Sequence, residues 1–305
     1  MLMRLINNDI WYLSEMMNYP GVLNNDPEVK LKIQYANDYN KPIDGHAPGL
    51  MGDDAKNYIE HGISTDHECY TLQEALGKIK HGMKIIIREG SAAKNFEALH
   101  CLIETHPEMV MFCSDDKHPD DLLEGHINLL VKRALALGYD IFDVLKIACV
   151  NPVYHYNLPV GLLKTGDKAD FIIISDTKSW EIKQTWINGK VYFSDHKASL
   201  PPYSSRIINK FSTSEITPNE LKVISEGDHV PVIEAIDGSL ITEKSWATLP
   251  SKDGILYSNP AEDILKICVV NRYSKAKPAI GFIKNFGLKA CAIASTVAHD
   301  SHNII

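Results

Sequence analysis

An α/β protein built on parallel strands is predicted, and three observations predict it. Along residues 9–150 short apolar runs alternate with stretches of helical period. Each of those runs ends on an ionisable side chain. Beyond residue 160 the texture changes to β alternation with a hairpin-turn signal.

The apolar runs, in order, are "DIWYLSEMM", "KPIDGH", "GISTDH", "MKIIIREG" and "MVMFCSDD". Runs this short and apolar read as strands covered on both faces, the usual state of a parallel sheet. Between them, "DPEVKLKIQYANDYN" places Val29, Ile33 and Ala36 on one helical face. "TLQEALGKIKHG" opens on a threonine cap, carries Leu72, Leu76 and Ile79 as its apolar face, and closes on Gly82. "GHINLLVKRALALGYD" is a third such helix and also ends on glycine. Strand, helix, strand in repetition is the βα unit.

The strand ends carry Glu15, His46, His67, Glu89 and Asp115. Charges closing such apolar runs are costly to bury unpaired. At the C-terminal face of a βα barrel they converge on one point, where active sites of that fold lie. Carboxylates and imidazoles together suit a first-row divalent metal. Taken alone, "DGHAPGL" also permits a turn that happens to contain a histidine. A closed barrel needs eight strands and the sequence supplies five. The expectation is therefore either an open five-stranded sheet or a chain that begins part-way through a barrel.

Residues 160–193 read as a small β-element with a turn at Asn188-Gly189. "SLPPYSS", residues 199–205, is a candidate boundary. Residues 206–305, with strand-like "LKVISEG" and "KPAIGFIKNF", read as part of a further α/β domain that stops within an apolar run. The expected organisation is 1–155, 156–198 and 206–305.

A formal charge of −8 argues against a nucleic-acid binder, which needs a basic face. No run of eighteen apolar residues is present, so no membrane span is expected. The N-terminal stretch lacks a signal-peptide pattern. Six scattered cysteines without a CxxC pair suit reduced thiols, and a cytoplasmic location is expected.

The motifs "SEMMNYPGVL", "DGHAPGL", "GISTDHE", "IREGSAAKN", "CSDDKHPDDL", "GDKADFIII", "FGLK" and "AIASTVAHDSHN" resemble, in order and over nearly the whole chain, the bacterial adenine deaminases of the amidohydrolase superfamily. That resemblance implies hydrolytic deamination of adenine to hypoxanthine and ammonia at a binuclear Mn2+ or Fe2+ centre. The fold it implies is the C-terminal half of a metal-dependent (β/α)8 barrel. It further implies that Glu15 is the bridging carboxylate, His46 and His67 are metal ligands, and Asp115, rather than Asp116, both binds metal and moves the proton. Glu68, Glu89 and His118 are candidates by position for orienting the purine or stabilising developing charge. Ser91 is either a contributor to the site or a helix cap. His299 and His302 could bind metal from a helix, or belong to a structural or substrate-proximal element.

The resemblance also implies a His-x-His pair. None of the thirteen histidines lies one residue from another. The chain therefore reads as the middle of an adenine deaminase, inactive alone, with a complementing chain or a homo-oligomer as expected partner. The alternatives are a non-catalytic remnant or metal- and purine-binding subunit, and another amidohydrolase chemistry such as opening a cyclic amide.

Overall fold

The computed structural model describes residues 10–207, 210–213, 215–225, 227, 229–237, 242–296 and 303–305. The chain divides into two compact units, Met1–Pro201 and Pro202–Ile305. The division falls inside "SLPPYSS". His299 and His302 lie outside the described residues.

In the first unit β1 (Leu13–Met16), β2 (Ile43–Gly45), β3 (Thr65–Asp66), β4 (Lys84–Arg88) and β5 (Val110–Cys113) form a parallel sheet in sequential order. Sequential parallel order requires a crossover after each strand, and helices supply it. The helix Pro27–Asp38 follows Asp26, whose carboxylate accepts from Glu28 N and Val29 N at 2.9 and 3.0 Å. Its buried residues are Val29, Ile33 and Ala36. The helix Leu72–Ile79 is capped by Thr71, whose hydroxyl accepts from Glu74 N at 3.2 Å. The third helix runs from Ile127 to Ala136, and Gly138 leaves it at a φ of 91°.

The face of the second of these helices departs from expectation. Leu72 and Leu76 are 37% and 38% exposed, while Glu74, Ala75 and Lys78 are buried. The physical reason is a charged partner beneath the helix: Asp66, fully buried at the end of β3, receives Lys78. Two apolar clusters flank the sheet. One centres on Ile43, Ile33, Tyr58 and Met83, the other on Ile85, Ile87, Phe112 and Val131.

The strands β6 (Phe171–Ile174), β7 (Ile182–Ile187), β8 (Lys190–Ser194) and β9 (Lys197–Ala198) make an antiparallel sheet. Asn188 and Gly189 turn β7 into β8 with φ values of 49° and 75°, as a type I′ hairpin requires. Trp180, between β6 and β7, is buried in the second cluster and joins this sheet to the parallel sheet.

In the second unit β11 (His229–Glu234) lies between β12 (Glu243–Thr248) and β16 (Ala279–Lys284), with β15 (Ile264–Val269) beyond β16. β10 (Val223–Ile224), β14 (Ile255–Leu256) and β13 (Ser251–Lys252) form a second small sheet. Val232, Leu249, Leu256, Ile264 and Phe282 are its core. The described residues here are strands and short 3-10 turns, with no α-helix where an α/β segment was expected. Alternation decides this: "EKSWAT" turns every second side chain outward and pairs as a strand.

All six cysteines are free thiols, Cys69 buried and Cys149 and Cys291 exposed. No helix among the described residues is long and apolar enough to cross a membrane.

Candidate metal centre

The C-terminal ends of β1, β2, β3 and β5 bring together Glu15, His46, His67, Glu68 and Asp115. Each arrives by a distinct local device.

Glu15 lies within β1, where the pairing runs Leu13 to Ile43 and then Met16 to Gly45, so the strand bulges. A bulge re-aims a side chain, and Glu15 takes a φ of 32° to accomplish it. Asp115 leaves β5 in the same left-handed region, at 52°. Strain of this kind in non-glycine residues collects at functional sites.

Position 45, just before His46, is glycine because the strand has no room for a side chain there. A Cβ on Gly45 would collide with the carbonyl oxygen of Thr65 and stand 2.8 Å from the Ile63 side chain. The main chain of His46 donates to the buried Tyr58 hydroxyl at 3.1 Å, and that hydroxyl donates to Met16 O at 2.8 Å. Tyr58 therefore ties the end of β1 to the end of β2. Asn95 does the same on the other side. Its amide donates to His67 O at 3.0 Å and Cys69 O at 3.2 Å, and its oxygen accepts from Arg88 N at 2.7 Å.

The ligand atoms of Glu15, His46 and His67 lie within 4.8 Å of one another, as do those of His67, Glu68 and Asp115. His46 Nδ1 faces Glu15 Oε2 at 3.2 Å and Glu68 Oε1 at 3.3 Å; His67 Nε2 stands 3.4 Å from the same Glu68 oxygen. These contacts are ion pairs only where the imidazole is protonated, and His46 Nδ1 is buried without a hydrogen-bond partner of directed geometry. An orphaned imidazole nitrogen aimed between carboxylate oxygens, with a second imidazole beside it, is a donor set that fits a first-row divalent cation.

Arg88 completes the cluster, and the sequence reading missed it. It is 3% exposed, binds Glu68 with both terminal nitrogens (Nη2 to Oε2 at 2.7 Å), and bonds Asp115 through Nη1. Glu89, expected at this strand end, is not brought to the site. It pairs with Arg133 at 3.1 Å and accepts from Phe96 N at 3.3 Å. The pleat explains the exchange: Ile85 and Ile87 join the cluster under the helices, so Arg88 points the opposite way, and Glu89 follows the isoleucines. Alternation in the sequence shows that the two side chains part, but not which of them faces the site.

His118 is also elsewhere, exposed at the start of the helix Pro119–Glu124, with its main chain donating to Ser91 Oγ at 2.8 Å. Ser91 caps no helix. Its hydroxyl bonds Asp121, and its main chain donates to Asp116 O at 3.0 Å, joining the loops after β4 and β5. Asp116 is exposed and donates its main-chain N–H to Asp115 Oδ1 at 2.8 Å.

The electrostatics follow from these contacts. His46 beside the Glu15 carboxyl lowers the Glu15 pKa against the effect of burial, and Glu15 in turn raises that of His46. Burial pushes the Asp115 carboxyl up, but Arg88, His67 and the Asp116 N–H together outweigh it and the net direction is down. Buried Asp44, one strand position inside, is pushed up by burial while its Oδ1 accepts from Thr65 Oγ1 at 2.8 Å and the Tyr156 hydroxyl at 2.9 Å.

Residues 2–192 match the model of the amidohydrolase family. The chain belongs to the amidohydrolase family. Its five parallel strands are part of the barrel of that family, and residues 239–305 match the adenine deaminase C-terminal domain. The chain is 48% identical over 302 residues to the adenine deaminase of Salinibacter ruber, covering 99% of this chain and 55% of that one. It is 52% identical over 304 residues to the adenine deaminase of Borreliella afzelii, covering 98% and 56%. The chain thus spans about half the length of the curated relatives it matches. Among solved structures, β-aspartyl dipeptidase of Fervidobacterium islandicum in complex with β-Asp-Leu dipeptide aligns with a TM-score of 0.51 at 16% identity, over 67% of this chain and 64% of that one. That likeness is one of amidohydrolase fold alone.

Proposed function

We propose that Glu15, His46, His67 and Asp115 hold a divalent cation, Mn2+ or Fe2+, and that the enzyme to which they belong deaminates adenine to hypoxanthine and ammonia. The observation that carries this reading is the buried His46 Nδ1, which faces Glu15 and Glu68 without a directed hydrogen bond. Identity near one half to adenine deaminases along the whole chain supports the choice of substrate.

A bound divalent cation supplies Lewis-acid activation of water near neutral pH. Asp115 is the proton carrier. Arg88 keeps it ionised, the state in which it accepts a proton from the water that adds to C6 of adenine. It then returns that proton toward the leaving amine, acting as base and afterwards as acid. Arg88 also fixes both oxygens of Glu68, leaving that carboxylate rigid beside the two imidazoles. Adenine and water go in, hypoxanthine and ammonia come out.

The second metal position of such a centre would need the imidazoles of a His-x-His pair, which this sequence does not contain. The isolated chain is therefore expected to bind one cation and to turn over adenine negligibly. Among the described residues β1 and β5 each pair on one side only, and open edges favour association. Those edges support a homo-oligomer or a complementing chain, and the free thiols and the substrate support a cytoplasmic place in purine salvage.

The test is a Mn2+ titration of the purified chain, followed by the electron paramagnetic resonance of free Mn2+, with ammonia release from adenine measured alongside. One bound Mn2+, lost in His46→Asn and His67→Asn, supports the site. Absence of binding refutes it, and rapid ammonia release by the chain alone refutes the need for a further segment.

A further inference from the structure

The loops carrying His46 and His67 are joined from behind by three buried ionic side chains. Lys78, 1% exposed, donates Nζ to Asp66, to Glu74 Oε1 at 2.8 Å and to the carbonyl of Ala47 at 2.8 Å. Asp66 Oδ1 accepts from Glu68 N at 3.0 Å and from Ala47 N at 3.4 Å. Glu74 accepts from Gly49 N at 2.9 Å and from Tyr70 N at 3.3 Å. The main chain that follows each candidate ligand is thereby held: Ala47 and Gly49 after His46, Glu68 and Tyr70 after His67.

Packing alone does not account for this arrangement. The helix Leu72–Ile79 leaves Leu72 and Leu76 partly in solvent while turning Glu74 and Lys78 inward. Apolar residues of similar volume in place of a buried ion cluster are often neutral or more stable. Asp66, Cys69 and Glu74 lie close enough together to suggest a second cation site, but Lys78 Nζ bonds both carboxylates and stands where such an ion would. What the cluster does have is reach to two loops at once, with charge-assisted bonds that are short and directional.

We propose that the Asp66–Lys78–Glu74 cluster is a positioning device for the metal site, setting the separation and aim of His46 and His67 through the main chain that follows each. The inference rests on the reading of those two histidines as ligands. Metal sites tolerate ligand errors of only about 0.2 Å, so releasing either loop weakens binding without removing a ligand.

The experiment uses the full chain and three variants: Lys78→Met, the double variant Lys78→Met with Glu74→Gln, which keeps the net charge of the cluster, and Glu74→Gln alone, which leaves Lys78 paired with Asp66 and guards against loss of the fold. Each is titrated with Mn2+, and amide hydrogen exchange is followed at Ala47, Gly49, Glu68 and Tyr70, with His46→Asn as control. The expected result in folded variants is Mn2+ affinity reduced by about 10–100-fold, the range for losing a residue that orients ligands. Glu74→Gln lies at the low end, and faster exchange is confined to the four amides. A merely structural role would lower the melting temperature and leave the affinity of the folded fraction unchanged. Unchanged affinity in folded Glu74→Gln and in the double variant, with His46→Asn having lost it, overturns the positioning role alone. No Mn2+ binding by the unaltered chain overturns the ligand reading and this inference together.

Discussion

Replacing Arg88 by methionine keeps roughly the aliphatic stem of the side chain and removes its charged head. Arg88 is 3% exposed and Glu68 4% exposed, so this ion pair is shielded from solvent. Removing one partner of a buried pair costs about 3–5 kcal/mol, because the other charge is left uncompensated. The bond to Asp115 adds less, since the Asp115 side chain is 21% exposed and water recovers part of its solvation. For a unit of about 200 residues, 1 kcal/mol moves the melting temperature by roughly 2–4 °C. A fall of roughly 6–20 °C follows for Arg88→Met in metal-free buffer at neutral pH. Glu68→Gln and the double variant complete a cycle read by circular dichroism. If the cost comes from stranding Glu68, the double variant recovers much of it, with a coupling energy of about 2 kcal/mol or more. A loss below about 1 kcal/mol for Arg88→Met, or strictly additive single costs, would refute the reasoning.

Gly45→Ala places a methyl against the Thr65 carbonyl, the Ile63 side chain and the Tyr58 hydroxyl; urea unfolding should show a loss of about 1–3 kcal/mol or poor soluble yield, and a stable, soluble variant contradicts the close approach of β2 and β3. Tyr58→Phe removes the link between Met16 O and His46 N, and its thermal unfolding should reveal a cost of about 1–3 kcal/mol; a change near zero means these groups find other partners. Facing Glu15, His46 has its pKa raised, so in metal-free protein this pair contributes fully below about pH 6.5 and the contribution fades as pH rises through the folded-state value. A cation requires neutral imidazole, so Mn2+ affinity should increase from about pH 6 to about pH 8 with proton release seen by calorimetry in buffers of different ionisation enthalpy; pH-independent binding would dismiss His46 as a ligand.

What could be read without coordinates were features that a few neighbouring residues decide. The caps at Asp26 and Thr71 depend on a side chain and amides two or three residues away. The face of Val29, Ile33 and Ala36 depends only on helical period. Glu15, His46, His67 and Asp115 could be picked out because a charge ending an apolar run is costly to bury unpaired, though the same rule also picked Glu89, which pairs with Arg133 instead. The tertiary structure alone decided which of two adjacent residues, Arg88 or Glu89, faces that site, because this depends on the phase of the pleat against the helices above it. It alone decided that Glu74 and Lys78, and not Leu72 and Leu76, face inward. The partner that draws Lys78 in, Asp66, stands 12 residues away on β3, and periodicity within one helix carries no record of a charge buried beneath it.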